Sequence, residues 1–298
     1  MSAQTAAAPR IESLRPVGRG IARPEDVVVA RDGAVWASDK ASAAARILPD
    51  GSLVRCGAAG GEPNGLKIDP RDGSLVIANL ALGILQRLRP ETGALSTMLS
   101  AVGDTPIKTP NYVLFDSRGN LWCSVSTRRG RVPEWLDGTP DGFVFRISAA
   151  GEARIVADGL RFPNGLALDG GERYLYVAQT AADNILRFPL TAHGLGAAEP
   201  FGPERLGHRV FPDGIAFDAA GNLWTTLVLA NRIVAIAPDG KVELVAEDDG
   251  SGLIDKPTNI AFGGADLRDV YVGSIAADYV LRGRSTIAGL PLAHQRTD

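Results

Sequence analysis

The chain has 298 residues, of which 45% are hydrophobic and 22% charged, and its formal net charge is -3. This composition supplies a hydrophobic core, and it lacks the basic face that is typical of nucleic-acid-binding proteins. Its two cysteines, Cys56 and Cys123, have no CxxC partner and predict no disulfide framework. No apolar run is long enough to span a bilayer, and residues 1–9 lack a signal-like pattern. We therefore expect a cytoplasmic protein without nucleic-acid or membrane partners. The sequence does not predict its oligomeric state.

A short pattern recurs along the chain: a proline, an acidic or amide residue, an apolar run and a turn. The copies begin, in chain order, at Pro24, Pro63, Pro110, Pro163, Pro212 and, in a degenerate form, Pro257. Successive copies lie roughly 39 to 53 residues apart, which is the range of radial β architectures. Six copies therefore predict a closed ring of repeated β units.

Each copy contains short apolar runs that are bounded by turn residues. In the first copy Val27-Val28-Val29 is followed by Asp-Gly and then by Val35-Trp36-Ala37, and a second pair of strands follows the same rule. About four strands per unit is the content of one propeller blade. We therefore predict an all-β fold, a six-bladed β-propeller with about four antiparallel strands per blade. Residues 1–298 are expected to form a single domain, with repeats from about 20 to 285 and a loosely attached N-terminus at 1–12.

Two polar segments interrupt the regular spacing. The first insertion, residues 126–142, follows the third copy and contains Arg128 and Trp135. The second insertion, residues 190–211, precedes the fifth copy and contains His208. Long connections in a compact fold are either functional covers or tolerated additions.

One side chain per copy, directly after the proline, is placed to meet its equivalents at one end of the channel. These residues are Glu25, Asn64, Asn111, Asn164, Asp213 and Thr258. We expect Glu25, Asn111, Asn164 and Asp213 to bind one divalent cation in the channel, with Asn64 capping its turn or supporting the ligands. An all-oxygen set with two carboxylates favours Ca²⁺, with Mn²⁺, Fe²⁺ or Zn²⁺ as alternatives. Asn and Asp are also ordinary turn residues, but Glu is not, which favours the metal interpretation.

The series Arg-Pro-Glu25, Pro-Asn111, Phe-Pro-Asn164-Gly-Leu and Phe-Pro-Asp213-Gly-Ile resembles the senescence marker protein/gluconolactonase family, the regucalcin-like propellers. The resemblance covers about residues 20–280. It implies a divalent ion held by Glu25, Asn164 and Asp213, with Asn111 contacting the metal directly, through water or through substrate. It also implies hydrolysis of sugar lactones, and some members cleave organophosphate esters.

The chain departs from the family pattern near the third copy. Tyr112 follows Asn111 where lactonases often have Asp, and Lys108 stands near the place of a sugar-binding arginine. We expect a substrate pocket that is less acidic and more aromatic, suited to a less polar lactone. Its expected lining is Asn111, Tyr112, Lys108, Arg128, Trp135 and His208.

The resulting hypothesis is a metal-dependent lactonase that acts on a small-molecule substrate. Water attacks the polarised lactone carbonyl, Asp213 orients or deprotonates that water, and Asn111 assists. One alternative is a phosphotriesterase at the same metal site. Another is a non-catalytic propeller that binds proteins through its rim and has no need of Glu25 and Asp213.

Overall fold

A computed structural model describes residues 8–191 and 194–296, and it confirms the predicted all-β, six-bladed propeller. We number the blades 1 to 6 in chain order. Within a blade, strands A to D run from the central channel to the outside. The A strands of neighbouring blades contact one another around the channel. In the part of the chain that the structure describes, no helix has the length and apolar character to cross a membrane.

Four blades have four antiparallel strands in simple chain order. Blade 1 consists of Val27–Val29, Val35–Ser38, Ala44–Ile47 and Leu53–Cys56. Blade 2 consists of Pro63–Ile68, Leu75–Asn79, Ile84–Arg89 and Ala94–Leu99. Blade 3 consists of Pro110–Phe115, Leu121–Val125, Gly142–Ile147 and Ala153–Leu160. Blade 5 consists of Pro212–Phe217, Leu223–Leu227, Arg232–Ile236 and Val242–Glu247.

The other two blades depart from this order. Blade 4 consists of Pro163–Leu168, Tyr174–Gln179 and Asn184–Thr191, and the last of these pairs with both Gly194–Leu195 and Glu199–Phe201. Blade 6 takes its A to C strands from Pro257–Gly263, Asp269–Ser274 and Val280–Ser285. The remaining elements are a small hairpin, Ala101–Val102 with Thr105–Pro106, and the 3₁₀ turns Thr180–Ala182, Val228–Ala230 and Ala293–Gln295.

The ring closes through the N-terminal strand. Ile11–Val17 pairs antiparallel with Val280–Ser285 and so becomes the D strand of blade 6. The chain is therefore fastened from Ile11 onward, and the loosely attached N-terminus predicted for residues 1–12 does not extend to Ile11 and Glu12. Residues 1–7 of that prediction lie outside the described residues.

The turn between strands A and B explains the repeated Asp and Trp of the sequence pattern. In blade 3, Asp116 Oδ1 accepts hydrogen bonds from the amides of Arg118 and Asn120, and its Oδ2 accepts one from Trp122 Nε1 at 3.0 Å. Asp218 makes the same bond to Trp224 Nε1 in blade 5, at 2.9 Å. Both indoles are buried, so these Asp and Trp residues stabilise the blades and have no direct role in a reaction.

The end of the channel where the A strands finish is covered by the segment after blade 6. Leu290 N donates to Phe217 O, and Gln295 Nε2 donates to the carbonyls of Val29 and Phe262. An apolar cavity lies beneath this segment, between the A strands. Access to the channel is therefore from the opposite end, where the A strands begin.

Candidate functional site

The predicted ring positions lie at the open end of the channel, where the A strands begin. Glu25, Asn64, Asn111, Asn164 and Asp213 stand at the entries of A strands, and each is at most 7% exposed. Blades 1 and 5 each contribute a buried carboxylate, and the negative charge of Glu25 helps to raise the pKa of Asp213. Sequence-equivalent turns thus place two carboxylates and several amides in one buried cluster.

Glycine in the Pro-Asn-Gly and Pro-Asp-Gly sequences allows the ring to be narrow. A Cβ on Gly165 would lie 2.3 Å from Asp213 O, and one on Gly214 would lie 2.5 Å from Thr258 O. Both distances are too short for any side chain. The glycines are therefore needed because neighbouring A strands approach closely, which brings the ligating side chains together.

The residue before the proline is in the left-handed backbone region in four blades. The φ angles are 58° at Arg23, 56° at Phe162, 58° at Phe211 and 44° at Lys256. Such a conformation is uncommon for residues other than glycine and costs about 1–3 kcal/mol. The turns that present the ring residues of these four blades are therefore strained and are held in place by the packed blades.

Two ring oxygens are buried without hydrogen-bond partners. Asn164 Nδ2 donates to Thr180 Oγ1 at 3.1 Å, which leaves Asn164 Oδ1 unbonded. Thr180 Oγ1 in turn donates to Pro212 O, so the orientation of the amide is fixed from the next blade. Glu25 Oε2 also lacks a hydrogen bond. Arg23 Nη2 lies 2.8 Å from Glu25 Oε2 as an ion-pair partner, whereas Asn164 Oδ1 has no partner. An unpaired buried oxygen is costly unless another group satisfies it, so Asn164 Oδ1 indicates a ligand.

The side-chain oxygen of Asn111 already accepts a hydrogen bond. Asn111 Nδ2 donates to Ser126 Oγ at 2.8 Å, while its Oδ1 accepts a hydrogen bond from Asn64 Nδ2 at 2.9 Å. Asn64 Oδ1 accepts in turn from Arg23 Nη1. A cation at Asn111 Oδ1 would therefore have to share this oxygen with Asn64 Nδ2 or displace Asn64.

The two carboxylates lack full charge compensation. Burial raises the pKa of Glu25 above its ordinary value, and Arg23 and Asn64 oppose the shift. Burial raises the pKa of Asp213 well above its ordinary value, and the negative charge of Glu25 adds to the shift. A cation between these groups would remove the desolvation penalty of both charges.

These observations fit one hard divalent cation. Glu25, Asn164 and Asp213 supply two carboxylates and one free amide oxygen, which is the donor chemistry that Ca²⁺ and related ions prefer. In the described ranges no three His, Cys, Asp or Glu side chains come together, so amide oxygen and water must complete the coordination.

Beneath the ring lies a buried polar floor that the sequence did not reveal. Lys67 Nζ is 2.6 Å from Asp26 Oδ2 and 4.2 Å from the centre of the Tyr112 ring. The Tyr112 hydroxyl accepts a hydrogen bond from Asn259 Nδ2 at 3.2 Å, from the opposite side of the channel. Tyr112 thus lies across the channel as part of this floor, which we define as Asp26, Lys67, Tyr112 and Asn259.

The other predicted pocket residues lie nearer the surface. Lys108 and His208 are exposed. Arg128 makes a bidentate ion pair with Asp158, with Nη1 2.6 Å from Oδ1. Trp135 packs edge-on against Phe162, whose ring centre is 5.1 Å away. Of this group, only Trp135 is connected to a ring turn by a described contact.

Sequence reasoning missed Arg23, Ser126 and Thr180 as parts of the site. Arg23 contacts Glu25 and Asn64, while the two hydroxyls orient Asn111 and Asn164. Arg23 was detectable as the residue two positions before Glu25. The hydroxyl residues follow B strands and become visible only once strand pairing is known.

Comparison with known proteins identifies relatives. Residues 46–276 match the family described as "SMP-30/Gluconolactonase/LRE-like region". A 6-deoxy-6-sulfogluconolactonase of Pseudomonas putida is 28% identical over 76% of this chain and 80% of its own length. A pentonolactonase of Haloferax volcanii is 30% identical over 59% of this chain, which spans only 56% of that relative. A calcium-binding protein, regucalcin, of Agrobacterium tumefaciens shares the fold, with a TM-score of 0.74, 19% identity and 95% coverage of both chains.

Proposed function

Because the chain belongs to the SMP-30/gluconolactonase/LRE-like family, we propose that it is a divalent-metal-dependent lactonase that opens a sugar-type lactone. The names of the curated relatives support the reaction class, since they describe lactonases of a sulfogluconate and of a pentonate. The substrate is a small molecule. The cytoplasmic location expected from the sequence stays a prediction.

The observation that carries the proposal is the buried Asn164 Oδ1, which has no partner, together with the carboxylates of Glu25 and Asp213, of which Glu25 has only the ion pair with Arg23. Glu25, Asn164 and Asp213 would hold the cation, with Ca²⁺ preferred for an all-oxygen set. Asn111 is placed to join after Asn64 releases its oxygen. When bound, the cation supplies Lewis-acid polarisation of the lactone carbonyl and stabilises the developing negative charge.

The chain's own residues provide the remaining roles. Asp213 orients the attacking water at its carboxylate and takes its proton as the carbon–oxygen bond forms. That proton passes to the ring oxygen when the ester bond breaks, so the product is a hydroxy acid and Asp213 is regenerated. The polar floor closes the channel behind the ring, which leaves the mouth as the route for substrate and product.

Hydrolysis of a lactone panel by metal-stripped protein tests the proposal, with Ca²⁺, Mn²⁺, Fe²⁺ or Zn²⁺ added back singly. We expect turnover to require an added ion and to be lost in Glu25→Ala and Asp213→Ala. Turnover in chelated protein, or normal turnover in Asp213→Ala, would contradict the scheme. A phosphotriester assayed beside the lactones distinguishes the second hydrolase hypothesis, and cation binding without any turnover would point to a different electrophile.

A further inference from the structure

Arg23 lies directly against two members of the ring. Its Nη2 is 2.8 Å from Glu25 Oε2, and its Nη1 donates to Asn64 Oδ1 at 2.9 Å. The side chain is 22% exposed, so the guanidinium borders both the ring and the mouth. A permanently charged group thus contacts the oxygen that we assign to the cation.

The contact between Arg23 and Glu25 is electrostatic rather than a well-aligned hydrogen bond. Glu25 Oε2 has no hydrogen-bond partner although the guanidinium nitrogen is only 2.8 Å away. Two positive groups on one buried oxygen repel each other strongly, because screening is weak in a buried site. The guanidinium and a divalent cation therefore compete for Glu25.

We propose that Arg23 is the internal counter-ion of the metal-free ring, and that cation binding at Glu25 requires its guanidinium to turn away toward the mouth. This inference rests on the metal-dependent function proposed above. It assigns to Arg23 the role of setting cation affinity, as a positioning residue outside the ligand set.

The hydrogen bonds of the ring extend this competition to Asn111. Arg23 fixes Asn64, and Asn64 Nδ2 donates to both Asn111 Oδ1, at 2.9 Å, and Asn111 O, at 3.2 Å. Withdrawal of Arg23 removes the bond that orients Asn64. Asn64 can then rotate and release Asn111 Oδ1 toward the channel. Arrival of the cation and recruitment of its fourth protein ligand are thus coupled through one side chain.

Glu62 offers the guanidinium an anionic neighbour after it turns. Its buried carboxylate accepts hydrogen bonds from Lys40 and Arg131. Burial opposes ionisation of Glu62, but Lys40, Arg23 and Arg131 together lower its pKa. Arg23 already contacts Asn64, two residues after Glu62, so a rotation of its side chain toward Glu62 would exchange one carboxylate for the other.

Lys256 provides a matched control. It precedes the proline of blade 6, as Arg23 precedes that of blade 1, and it has the same left-handed backbone, with φ of 44° against 58°. Lys256 is exposed, and it makes no ion pair with the described residues. Lys256→Gln therefore removes one positive charge from an equivalent turn without touching the ring.

Isothermal titration of chelator-treated protein with Ca²⁺ and Mn²⁺ tests the inference without relying on activity. We expect Arg23→Gln to bind the cation at least about tenfold more tightly than wild type, and Lys256→Gln to stay within about twofold. Arg23→Lys should be intermediate, because a flexible ammonium leaves the oxygen more readily than a guanidinium fork. Thermal unfolding should show metal-free Arg23→Gln melting below wild type and a larger cation-induced increase in Tm.

The outcomes separate this inference from the proposed function. If Arg23→Gln folds and its cation affinity equals that of Lys256→Gln or is weaker, the proposed competition between Arg23 and the cation is refuted, even if the wild type binds metal. If Arg23→Gln does not fold, the same comparison is made with Arg23→Lys. Wild-type protein that binds no cation, and that behaves like Glu25→Gln, would instead refute the metal site itself.

Discussion

The buried ion pair of the polar floor gives the sharpest stability prediction. Lys67 and Asp26 have side chains that are 5% and 1% exposed, and their charged atoms are 2.6 Å apart. Lys67→Met removes the positive charge but retains most of the side-chain volume, which leaves Asp26 buried and unpaired. Breaking a buried pair in this way typically costs about 3–5 kcal/mol.

The structure supports the upper part of that range. Lys67 Nζ also donates to Leu66 O at 3.0 Å and lies over the Tyr112 ring, so the substitution removes three interactions at once. A loss of about 5 kcal/mol corresponds to a decrease in Tm of about 8 °C for a chain of this size. The double variant Asp26→Asn/Lys67→Met should lose less than the sum of the single variants, by about 1–3 kcal/mol, since neither charge is then left alone.

Urea unfolding followed by tryptophan fluorescence measures these free energies. The control is Arg154→Met, which removes an ion pair of equal length, 2.6 Å from Arg154 Nη2 to Glu152 Oε1, between side chains that are 69% and 62% exposed. Exposed pairs of this kind contribute at most about 1 kcal/mol. A cost for Lys67→Met no greater than that of Arg154→Met would refute the reasoning that the floor is a desolvated pair.

Three further predictions concern the ring and the covered end of the channel. Gly165→Ala should destabilise the fold by about 1–3 kcal/mol and weaken cation binding in a calorimetric titration, because its Cβ would displace the Asp213 carbonyl. The control is Gly171→Ala, whose Cβ meets only the flexible Arg173 side chain at 3.4 Å, and it should change neither stability nor cation affinity. Asn164→Ala should weaken cation affinity about 10- to 100-fold by calorimetry with little change in unfolding free energy, and unchanged affinity would exclude its oxygen as a ligand. Burial lowers the pKa of His294 from 6.5 to about 4. Between pH 6.5 and about pH 4 the unfolded chain therefore binds more protons than the folded chain, and the free energy of unfolding falls as the pH decreases through this range. The loss is at most about 3 kcal/mol because the ring is partly exposed, and urea unfolding of His294→Gln should lack this component of the pH dependence.

The sequence predicted the fold because the same local physics recurs in every blade. Asp116 and Trp122 form a turn whose hydrogen bonds are satisfied within seven residues of chain, and Asp218 and Trp224 repeat it. Local signals of this kind are readable without tertiary information. The ring positions were predictable for the same reason, since equivalent turns must meet at one end of a closed propeller.

The polar floor was not predictable, because it depends on distances across the channel. Tyr112 and Asn259 are 147 positions apart and meet only because blades 3 and 6 face each other. The sequence pattern assigned Tyr112 to the substrate pocket, where a neighbour of Asn111 would be expected. Its side chain lies across the channel in the floor, where Lys67 and Asn259 provide it with an ammonium and an amide partner.

One repeated position performs two different tasks in this ring. In blade 4 Asn164 Oδ1 has no partner, and in blade 1 Glu25 Oε2 has only the ion pair with Arg23, so these are the oxygens that we propose as cation ligands. In blades 2 and 6 the equivalent Asn64 and Thr258 donate to backbone carbonyls of the next blade, Asn111 O at 3.2 Å and Glu25 O at 2.7 Å. Thr258 therefore holds the backbone of Glu25 in place, and Asn64 holds that of Asn111. In the proposed metal site, a symmetric scaffold would present an asymmetric ligand set, because one side chain per blade decides whether that blade faces the ion or supports its neighbour.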